Sequence, residues 1–322
     1  MPGDNGVKRS ESPTVSVCIP TYNSAHFISV ALDSVLAQTF KNFECIVVDN
    51  CSNDNTKEIV EQYSEHDSRI KYFVNESNIG SGGNFNRCLQ HAKGQYVKFL
   101  CADDLLKPTC IEQLINIMEE NPSVVLAACS RQLTDRNLVP TFTLAYSKQK
   151  EVLTGTEVIK RCFIEGQNFI GEPTAVLFKR EDAMRGFNLA YRQLIDLDMW
   201  FYILEKGNFA FTPEVLCLFR QHGEQETISH LATDAAIEDE FRLYYDYVNK
   251  DYMNISFIKK YEIKYTKAFF AWKQQYSGIE LSTIKSKISQ HIGLFLFYLG
   301  LPLFYVLLIY KKVRSTIRQF IE

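Results

Sequence analysis

The chain lacks the features that mark nucleic-acid-binding, disulfide-rich or secreted proteins. Its 322 residues contain 35 Lys and Arg against 38 Asp and Glu, so the net charge is -3 and we expect no nucleic-acid partner. Its 9 cysteines form no Cys-x-x-Cys pair and no spacing typical of zinc sites. We therefore expect free, buried thiols in a reducing compartment. Residues 1–12 have no apolar h-region, so we expect no signal peptide.

The remaining composition is that of a globular protein, with 46% hydrophobic and 23% charged residues. The length allows two domains, or one domain with appendages, and no repeat or low-complexity linker marks a boundary. Up to about residue 130, apolar runs such as Val15–Ile19, Phe43–Val48 and Val124–Cys129 alternate with helical patterns. This alternation predicts a mostly parallel α/β sheet covered by helices.

The stretch from Tyr96 to Leu106 is the clearest local indication of a ligand site. A buried strand, Tyr96 to Leu100, is predicted to end just before two adjacent carboxylates, Asp103 and Asp104. Ligands of open α/β sheets bind beyond the carboxyl ends of strands, and divalent cations such as Mg²⁺ prefer oxygen ligands. The pair therefore suits a cation beside a phosphate. The alternative is that both residues only cap the helix that follows.

The sequence also predicts the structure of several segments outside this stretch. Two acids, Asp196 and Asp198, lie at the predicted start of one helix, where negative charge is favourable. An alternative interpretation is that Asp196 only caps this helix and that Asp198 is its solvated partner. The other predicted segments are a glycine-rich loop at 78–86 that opens a helix at Phe85, a hairpin or strand–loop at 131–150, a helix at 154–163, strands at 174–178 and 214–219, and helical sequence from 235 to 272.

Residues 292–310 form an uncharged apolar run that is long enough to span a bilayer. Basic residues flank it on both sides, at Lys285 and Lys287 and again from Lys311 onward, and Gly300 and Pro302 interrupt it. A segment that lies in one leaflet satisfies both basic flanks better than a full span does. A full span and a helix buried against the globular part remain the alternatives.

Four separated motifs then occur together, in order and at ordinary spacing. They are Pro20-Thr21-Tyr22-Asn23 after the first strand, Asp49 to Asp54 after the second, Asn78-x-Gly80 with Asn86, and Phe99 to Asp104. Each is weak alone, but the ordered set resembles family 2 glycosyltransferases with the GT-A fold over residues 14–222. The resemblance implies an α/β GT-A fold with a mostly parallel central sheet. The apolar run and its basic flanks predict that a helical, membrane-associating C-terminal extension follows it.

The resemblance also implies roles for individual residues. It assigns the catalytic base to Asp196, a Mn²⁺ or Mg²⁺ ligand to Asp103, and an Arg-x-His motif near the diphosphate to Arg220 and His222, with His222 completing the metal shell. Asp49 would accept a hydrogen bond from the base of the nucleotide, typically uracil. The implied donor-binding residues are Pro20, Thr21, Tyr22, Asn23, Asp49, Ser52, Asn78, Gly80, Asn86, Asp104 and Arg220.

Three positions depart from the family pattern. Cys101 stands where many members have the first Asp of Asp-x-Asp, Ile195 where a Glu usually precedes the base, and Phe85 where many members have Arg. These departures leave less carboxylate at the implied metal and base positions. They keep open a third possibility, a GT-A-fold binding protein without activity.

The predicted function is transfer of a sugar, with inversion, from a nucleotide-diphosphate donor such as a UDP-sugar to a glycan or polyprenyl-linked acceptor. A sugar nucleotidyltransferase is the alternative enzyme, but the first strand lacks the Gly-rich basic loop that usually holds a triphosphate. We expect the protein at the cytoplasmic face of the inner membrane. The expected divisions are a disordered tail at 1–13, a GT-A domain at 14–225 with halves 14–130 and 131–225, a helical extension at 226–290 and a membrane-associating segment at 291–322.

Overall fold

The computed structural model describes residues 12–223, 225, 233–274 and 279–302. The chain divides into two compact units, Met1–Gln225 and Glu226–Glu322. The predicted disordered tail therefore lies almost wholly outside the described residues, and so do positions 303–322 of the predicted membrane-associating segment.

The first unit is built from strands and helices that alternate along its first half. Its strands are β1 (Val15–Thr21), β2 (Phe43–Asp49), β3 (Ile70–Val74), β4 (Tyr96–Phe99), β5 (Leu105–Leu106), β6 (Val124–Thr134), β7 (Pro140–Leu144), β8 (Glu151–Thr154), β9 (Val176–Lys179) and β10 (Asn208–Arg220). Its described helices are α1 (Ile28–Leu36), α2 (Thr56–His66), α3 (Gly80–His91), α4 (Cys110–Glu120), α5 (Gly155–Glu165) and α6 (Ile195–Leu204).

One sheet, in the order β3-β2-β1-β4-β9-β6-β10-β5, forms the centre of this unit. The four strands from β3 to β4 are parallel, with Val17 opposite both Cys45 and Lys98. Strand β9 runs antiparallel to β4 and β6, and β6 is parallel to β10. The predicted α/β sheet is confirmed, and its antiparallel strands come from the later half of the unit. The hairpin predicted at 131–150 is also confirmed, because β7 pairs with the end of β6.

The topology brings several strand ends to one edge of the sheet. Strands β1, β2 and β4 are parallel neighbours, so Thr21, Asp49 and Phe99 end at this edge. Two antiparallel steps through β9 make β6 and β10 parallel to β4, so Arg220 ends there as well. All seven residues of β2 are buried, as expected for a parallel strand covered on both faces.

The glycine-rich run is helical, so the prediction of a loop that opens a helix at Phe85 is wrong. Helix α3 begins at Gly80 and already contains Gly82. A Cβ atom on Gly82 would lie 2.5 Å from Cδ1 of Ile195 and 2.9 Å from Cδ2 of Leu189. The missing side chain therefore lets α3 approach the start of α6, which is a packing requirement rather than a turn requirement.

The second unit is helical where it is described. Its helices are α7 (Ala235–Tyr247), α8 (Phe257–Lys273) and α9 (Leu281–His291), followed by helical residues from 294 to 302. The prediction of helical sequence from 235 to 272 is therefore confirmed. The core of this unit includes Ile237, Phe241, Tyr265, Ala268, Phe269, Ile284, Ile288 and Phe297.

The described part of the apolar C-terminal run has two different faces. Phe297 is fully buried against the core of its unit, whereas Phe295 and Leu299 are 77% and 64% exposed. Among the described residues, no helix is both long enough and apolar enough to cross a membrane.

Candidate active site

The turn after β1 and the loop after β2 form one hydrogen-bonded structure at the sheet edge. The backbone N–H of Asn23 donates to Oγ of Ser52 at 2.8 Å, and Oδ1 of Asn23 accepts from the N–H of Asn53 at 2.9 Å. Ser52 in turn donates to Oδ1 of Asp49 from its backbone at 2.9 Å and from its hydroxyl at 2.6 Å. The structure therefore brings together three of the predicted donor-binding residues.

The other residues of the first motif differ in their exposure. Pro20 is partly exposed and Tyr22 is 46% exposed, so the Tyr22 ring is accessible at the sheet edge. Thr21 is buried, and its hydroxyl has no hydrogen-bond partner among the described residues. A flat, accessible ring beside the end of β1 is suited to contact with a nucleoside.

Asp49 has a partner that the sequence did not indicate. The Tyr72 hydroxyl on β3 donates to Oδ2 of Asp49 at 2.6 Å, while Ser52 occupies Oδ1. Burial, reinforced by the neighbouring Asp49 carboxylate, raises the pKa of Tyr72, so this hydroxyl remains a donor. Both oxygens of Asp49 are therefore fixed as acceptors, and each carboxylate oxygen can still accept a second hydrogen bond.

Asn78 and Gly80 belong to a network of amide side chains. Oδ1 of Asn78 accepts from Nδ2 of Asn50 at 2.8 Å and from the N–H of Gly80 at 2.9 Å, in the manner of an Asx turn. Asn75 donates to Asn50 at 3.1 Å and to Asn84 at 3.0 Å. The Asn-x-Gly motif thus fastens the start of α3 to the loop after β2. The structure shows this holding contact for the two predicted donor-binding residues.

Asn86 makes its described contacts with the protein backbone. Its Nδ2 donates to the carbonyl of Phe187 at 2.9 Å, and its Oδ1 accepts from the N–H of Phe187 at 2.7 Å. Gly186, with φ of 74°, passes so close that a Cβ atom there would lie 2.6 Å from Oδ1 of Asn86. Asn86 therefore fixes the chain shortly before α6. Its hydrogen bonds are separate from those of the Asn78 turn.

Asp103 and His222 meet beyond the ends of β4 and β10. Nε2 of His222 lies 3.0 Å from Oδ2 of Asp103, whose side chain is 23% exposed. Ligand atoms of Cys101, Asp103 and Asp104 lie within 4.8 Å of one another. Burial and both acids raise the pKa of the Cys101 thiol, which keeps it a poor ligand. The accessible carboxylate and the imidazole fit a divalent cation, so the implied metal ligands are compatible with this geometry.

Asp104 is buried and fully engaged by the protein. Its Oδ2 accepts from the Thr174 hydroxyl at 2.6 Å, and its Oδ1 accepts from the backbone N–H of Arg220 at 3.0 Å. Burial, together with the charge of Asp103, raises the pKa of Asp104. The structure therefore shows Asp104 as a link between chain segments, and it leaves Asp103 as the accessible member of the pair.

Thr174 and Lys98 support the turn at residues 101–104, and neither residue belongs to one of the four sequence motifs. Besides its bond to Asp104, the Thr174 hydroxyl accepts from the N–H of Cys101 at 3.1 Å. The ammonium of Lys98, fully buried in β4, donates to the backbone carbonyls of Phe99, Thr174 and Val176. These contacts join β4, the 101–104 turn and the segment before β9.

Arg220 presents a cation close to Asp103. Its guanidinium lies over the Phe27 ring, 4.8 Å from the ring centre, and donates to the carbonyl of Arg136 at 3.3 Å. The Arg136 guanidinium lies 5.7 Å from the centre of the same ring. Burial lowers the pKa of Arg220, which the two nearby acids partly offset. Two guanidinium groups near the candidate metal ligands are suited to a diphosphate.

Asp196 lies in the first turn of α6 and is partly exposed. Its Oδ1 accepts from the N–H of Leu197 at 2.7 Å, and its Oδ2 lies 3.4 Å from Nδ2 of Asn168. Desolvation and the charge of Glu172, opposed by Arg131, raise the pKa of Asp196 to about 7. A carboxylate with a pKa near neutrality is well matched to general-base catalysis.

Asp198 differs from the solvated partner that the sequence suggested, and that alternative is wrong. Asp198 is only 2% exposed, and its carboxylate pairs with the Arg185 guanidinium at 2.5 Å. The first turn of α6 therefore carries a buried residue committed to an internal ion pair, Asp198, and a partly exposed one, Asp196.

All 9 cysteines are free, and all except Cys51 and Cys101 are buried. The prediction of free and mostly buried thiols is therefore confirmed.

The fold is that of a GT-A-like glycosyltransferase, and the comparisons with known proteins agree. The family model described as Glycosyl transferase family 2 matches residues 16–187. The protein named UDP-Glc:alpha-D-GlcNAc-diphosphoundecaprenol beta-1,3-glucosyltransferase WfgD, from Escherichia coli, is 32% identical over 196 residues, which cover 61% of this chain and 72% of WfgD. The chain belongs to glycosyl transferase family 2.

Solved structures support the fold at lower sequence identity. S. aureus TarS in complex with UDP-GlcNAc aligns with a TM-score of 0.64 and 19% identity, covering 87% of this chain and 81% of that one. The mannosyltransferase PcManGT from Pyrobaculum calidifontis, in complex with GDP-Man and Mn²⁺, aligns with a TM-score of 0.57 and 18% identity, covering 95% of this chain and 83% of that one.

Proposed function

We propose that this glycosyltransferase moves a sugar from a nucleotide-diphosphate donor to an acceptor hydroxyl by one direct displacement with a divalent metal. The observation that carries the proposal is Asp196, a partly exposed residue in the first turn of α6 whose carboxyl pKa is raised to about 7, chiefly by desolvation. Family membership favours sugar transfer over nucleotidyl transfer.

The base and the candidate metal ligands are linked by one short segment. Asn168 contacts Asp196, and Thr174, six residues later, hydrogen-bonds Asp104. Six residues span at most about 22 Å when fully extended. This bound supports a single cleft that holds both the base and the metal ligands, with donor and acceptor between them.

A UDP-sugar is the proposed donor. The buried acceptor atoms of Asp49, oriented by Tyr72 and Ser52, suit the imide N–H of uracil. The name of WfgD specifies UDP-glucose, and TarS was crystallised with UDP-GlcNAc, which favours the same donor class here. Arg220 and Arg136 would face the diphosphate.

Asp103 and His222 are the proposed metal ligands. They would hold a divalent cation, which when bound offsets the negative charge of the diphosphate leaving group. The Mn²⁺ in the PcManGT complex favours this cation, and the hard oxygen ligand of Asp103 accepts Mg²⁺ equally well.

The displacement itself needs one proton transfer. Asp196 takes the proton of the acceptor hydroxyl as that oxygen forms a bond to the anomeric carbon. The bond between this carbon and the diphosphate oxygen breaks, and the nucleoside diphosphate leaves with the electron pair. A single displacement from the opposite face inverts the anomeric configuration.

We propose a glycan precursor on a polyprenyl diphosphate as the acceptor, reached at the membrane surface. WfgD is named for such an acceptor. The exposed Phe295 and Leu299 and the basic residues that follow residue 310 in the sequence favour binding to an anionic surface from one side. On this account the protein works at the cytoplasmic face of the membrane.

The metal proposal predicts that Asp103→Asn removes metal-dependent nucleotide binding. UDP with Mn²⁺ should raise the melting temperature of the wild-type protein, because a ligand that binds the native state stabilises it. The increase should disappear with EDTA and in the Asp103→Asn variant. GDP with Mn²⁺ serves as the comparison for base preference. Turnover that persists unchanged in EDTA contradicts the metal proposal.

The base proposal predicts that Asp196→Asn binds UDP with near-normal affinity but transfers sugar about 10²–10⁴-fold more slowly. Asn keeps the size of Asp and can still accept the N–H of Leu197 at Oδ1, but its amide nitrogen can accept neither the Asn168 N–H nor the proton of the acceptor hydroxyl. Initial transfer rates and UDP titration calorimetry measure the two effects separately. Asp198→Asn is the comparison: it breaks the pair with Arg185 and should lower stability by about 1–3 kcal/mol, with a much smaller effect on transfer by the folded protein. Equal, small losses in transfer would place the base elsewhere.

The membrane proposal predicts that the whole chain floats with vesicles containing anionic phospholipid and much less with neutral vesicles. Phe295→Ser should weaken flotation by at least about tenfold, because burial of a Phe side chain contributes roughly 1.5–3 kcal/mol. Phe142→Ser, at a residue 61% exposed on β7, is the matched control and should float like the wild type. Flotation that neither Phe295→Ser nor neutral lipid reduces contradicts this mode of binding.

A further inference from the structure

The base Asp196 has no acidic neighbour at position 195, where Ile195 packs towards α3. The acid whose charge acts on Asp196 is Glu172, in the segment between α5 and β9. That segment also supplies Asn168, whose amide reaches the Asp196 carboxylate.

We propose that Asn168 and Glu172 are positioning residues for Asp196: Asn168 orients its carboxylate, and Glu172 supplies the second negative charge that Ile195 does not. This inference rests on the proposed role of Asp196 as the base. It assigns to Glu172, 24 positions before Asp196, the function that an acid at position 195 would have.

Hydrogen bonds to Gly171 hold the Asn168 side chain in the orientation in which it contacts Asp196. Its Oδ1 accepts from the N–H of Gly171 at 3.0 Å, and its Nδ2 lies 3.3 Å from the carbonyl of the same residue. That carbonyl also accepts from Nε1 of Trp200 at 2.9 Å, which ties the loop to the buried side of α6. Gly171 has φ of 122°, a conformation that L side chains rarely adopt. The amide of Asn168 is thus aimed at Asp196 by the helix on which Asp196 lies.

Glu172 is held by a charged partner from the sheet. The Arg131 guanidinium, in β6 and 5% exposed at its side chain, forms an ion pair with the Glu172 carboxylate, which is 31% exposed. Removing one partner of such a pair leaves the buried Arg131 charge uncompensated. The pair with Arg131 therefore fixes the position of the Glu172 carboxylate.

The charges that act on Asp196 can be named. Glu172 disfavours ionisation of Asp196, and Arg131 favours it. Asp198, the other acid in the first turn of α6, is paired with Arg185. Neutralising Glu172 removes the unfavourable charge and leaves Arg131 unopposed, so both consequences lower the pKa of Asp196. The catalytically competent, ionised form would then persist to lower pH.

The test is a titration of the Asp196 carboxyl carbon by NMR in protein labelled with ¹³C at Asp Cγ. The Asp196 signal is identified by its loss in Asp196→Asn. In the wild type it should titrate near pH 7, and in Glu172→Gln its midpoint should move to lower pH. Glu165→Gln, which neutralises a more exposed acid at the end of α5, is the matched control and should leave the midpoint unchanged. An unchanged midpoint in Glu172→Gln overturns the inference.

Activity gives a second readout of the same shift. With a base of pKa about 7, kcat/KM of the wild type should be about tenfold lower at pH 6 than at pH 8. The decrease should be smaller in Glu172→Gln. Should that variant fail to fold, Asn168→Asp tests the contact of Asn168 with Asp196: a negative charge at that distance raises the midpoint, and an unchanged midpoint overturns the inference. A midpoint that shifts as stated while Asp196→Asn retains full transfer supports the positioning and contradicts the base role instead.

Discussion

The hydrogen bond from the Thr174 hydroxyl to the buried carboxylate of Asp104 is the contact on which the arrangement of the site depends. The same hydroxyl accepts a hydrogen bond from the N–H of Cys101, and the Thr174 carbonyl accepts one from the ammonium of Lys98. Thr174 therefore joins its own segment to the end of β4 and to the 101–104 turn that follows it, about 70 positions earlier in the chain. A buried carboxylate that lost this donor would be left partly unsatisfied, which typically costs about 1–3 kcal/mol. The turn that presents Asp103 is rigid because Asp104 is anchored.

The two acidic pairs of the site follow the same physical pattern. In each, one carboxylate is buried and bonded to the protein, and its near neighbour faces solvent. Asp104 is fixed by Thr174 and the backbone of Arg220, so Asp103 is free to meet His222. Asp198 is fixed by Arg185, so Asp196 can face a substrate. In each pair a buried, hydrogen-bonded carboxyl group fixes the backbone that carries its more exposed neighbour.

The sequence predicted the parts of this site that depend on local structure. Strand ends followed by Asp49 and by Asp103 with Asp104 were recognisable, because buried apolar runs and turn residues are local signals. The glycine-rich run was misinterpreted because Gly82 is required by its close packing against Ile195, which lies more than a hundred residues away in the sequence. Tyr72, Thr174, Asn168 and Glu172 were missed for the same reason. Their partners lie far along the chain, and hydrogen bonding between distant residues leaves no periodic pattern in one sequence.

The exposure of individual residues also could not be predicted from the sequence. Asp196 and Asp198 are the same residue type and both lie in the first turn of α6, yet one is partly exposed and the other is buried in an ion pair. Residues two positions apart point to different faces of a helix, and Arg185 pairs with the one on the buried face, Asp198. The roles in donor binding, metal binding and catalysis remain predictions that the geometry supports.

The central claim is one direct displacement assisted by Asp196, and the anomeric configuration of the first product tests it most directly. The protein would be incubated with a UDP-α-sugar that it consumes and a synthetic polyprenyl-diphosphate sugar acceptor, and the new anomeric proton followed by ¹H NMR from the earliest times. A single displacement predicts a product with the β configuration. A product that first appears with the α configuration would contradict the account, since the configuration would then have been retained.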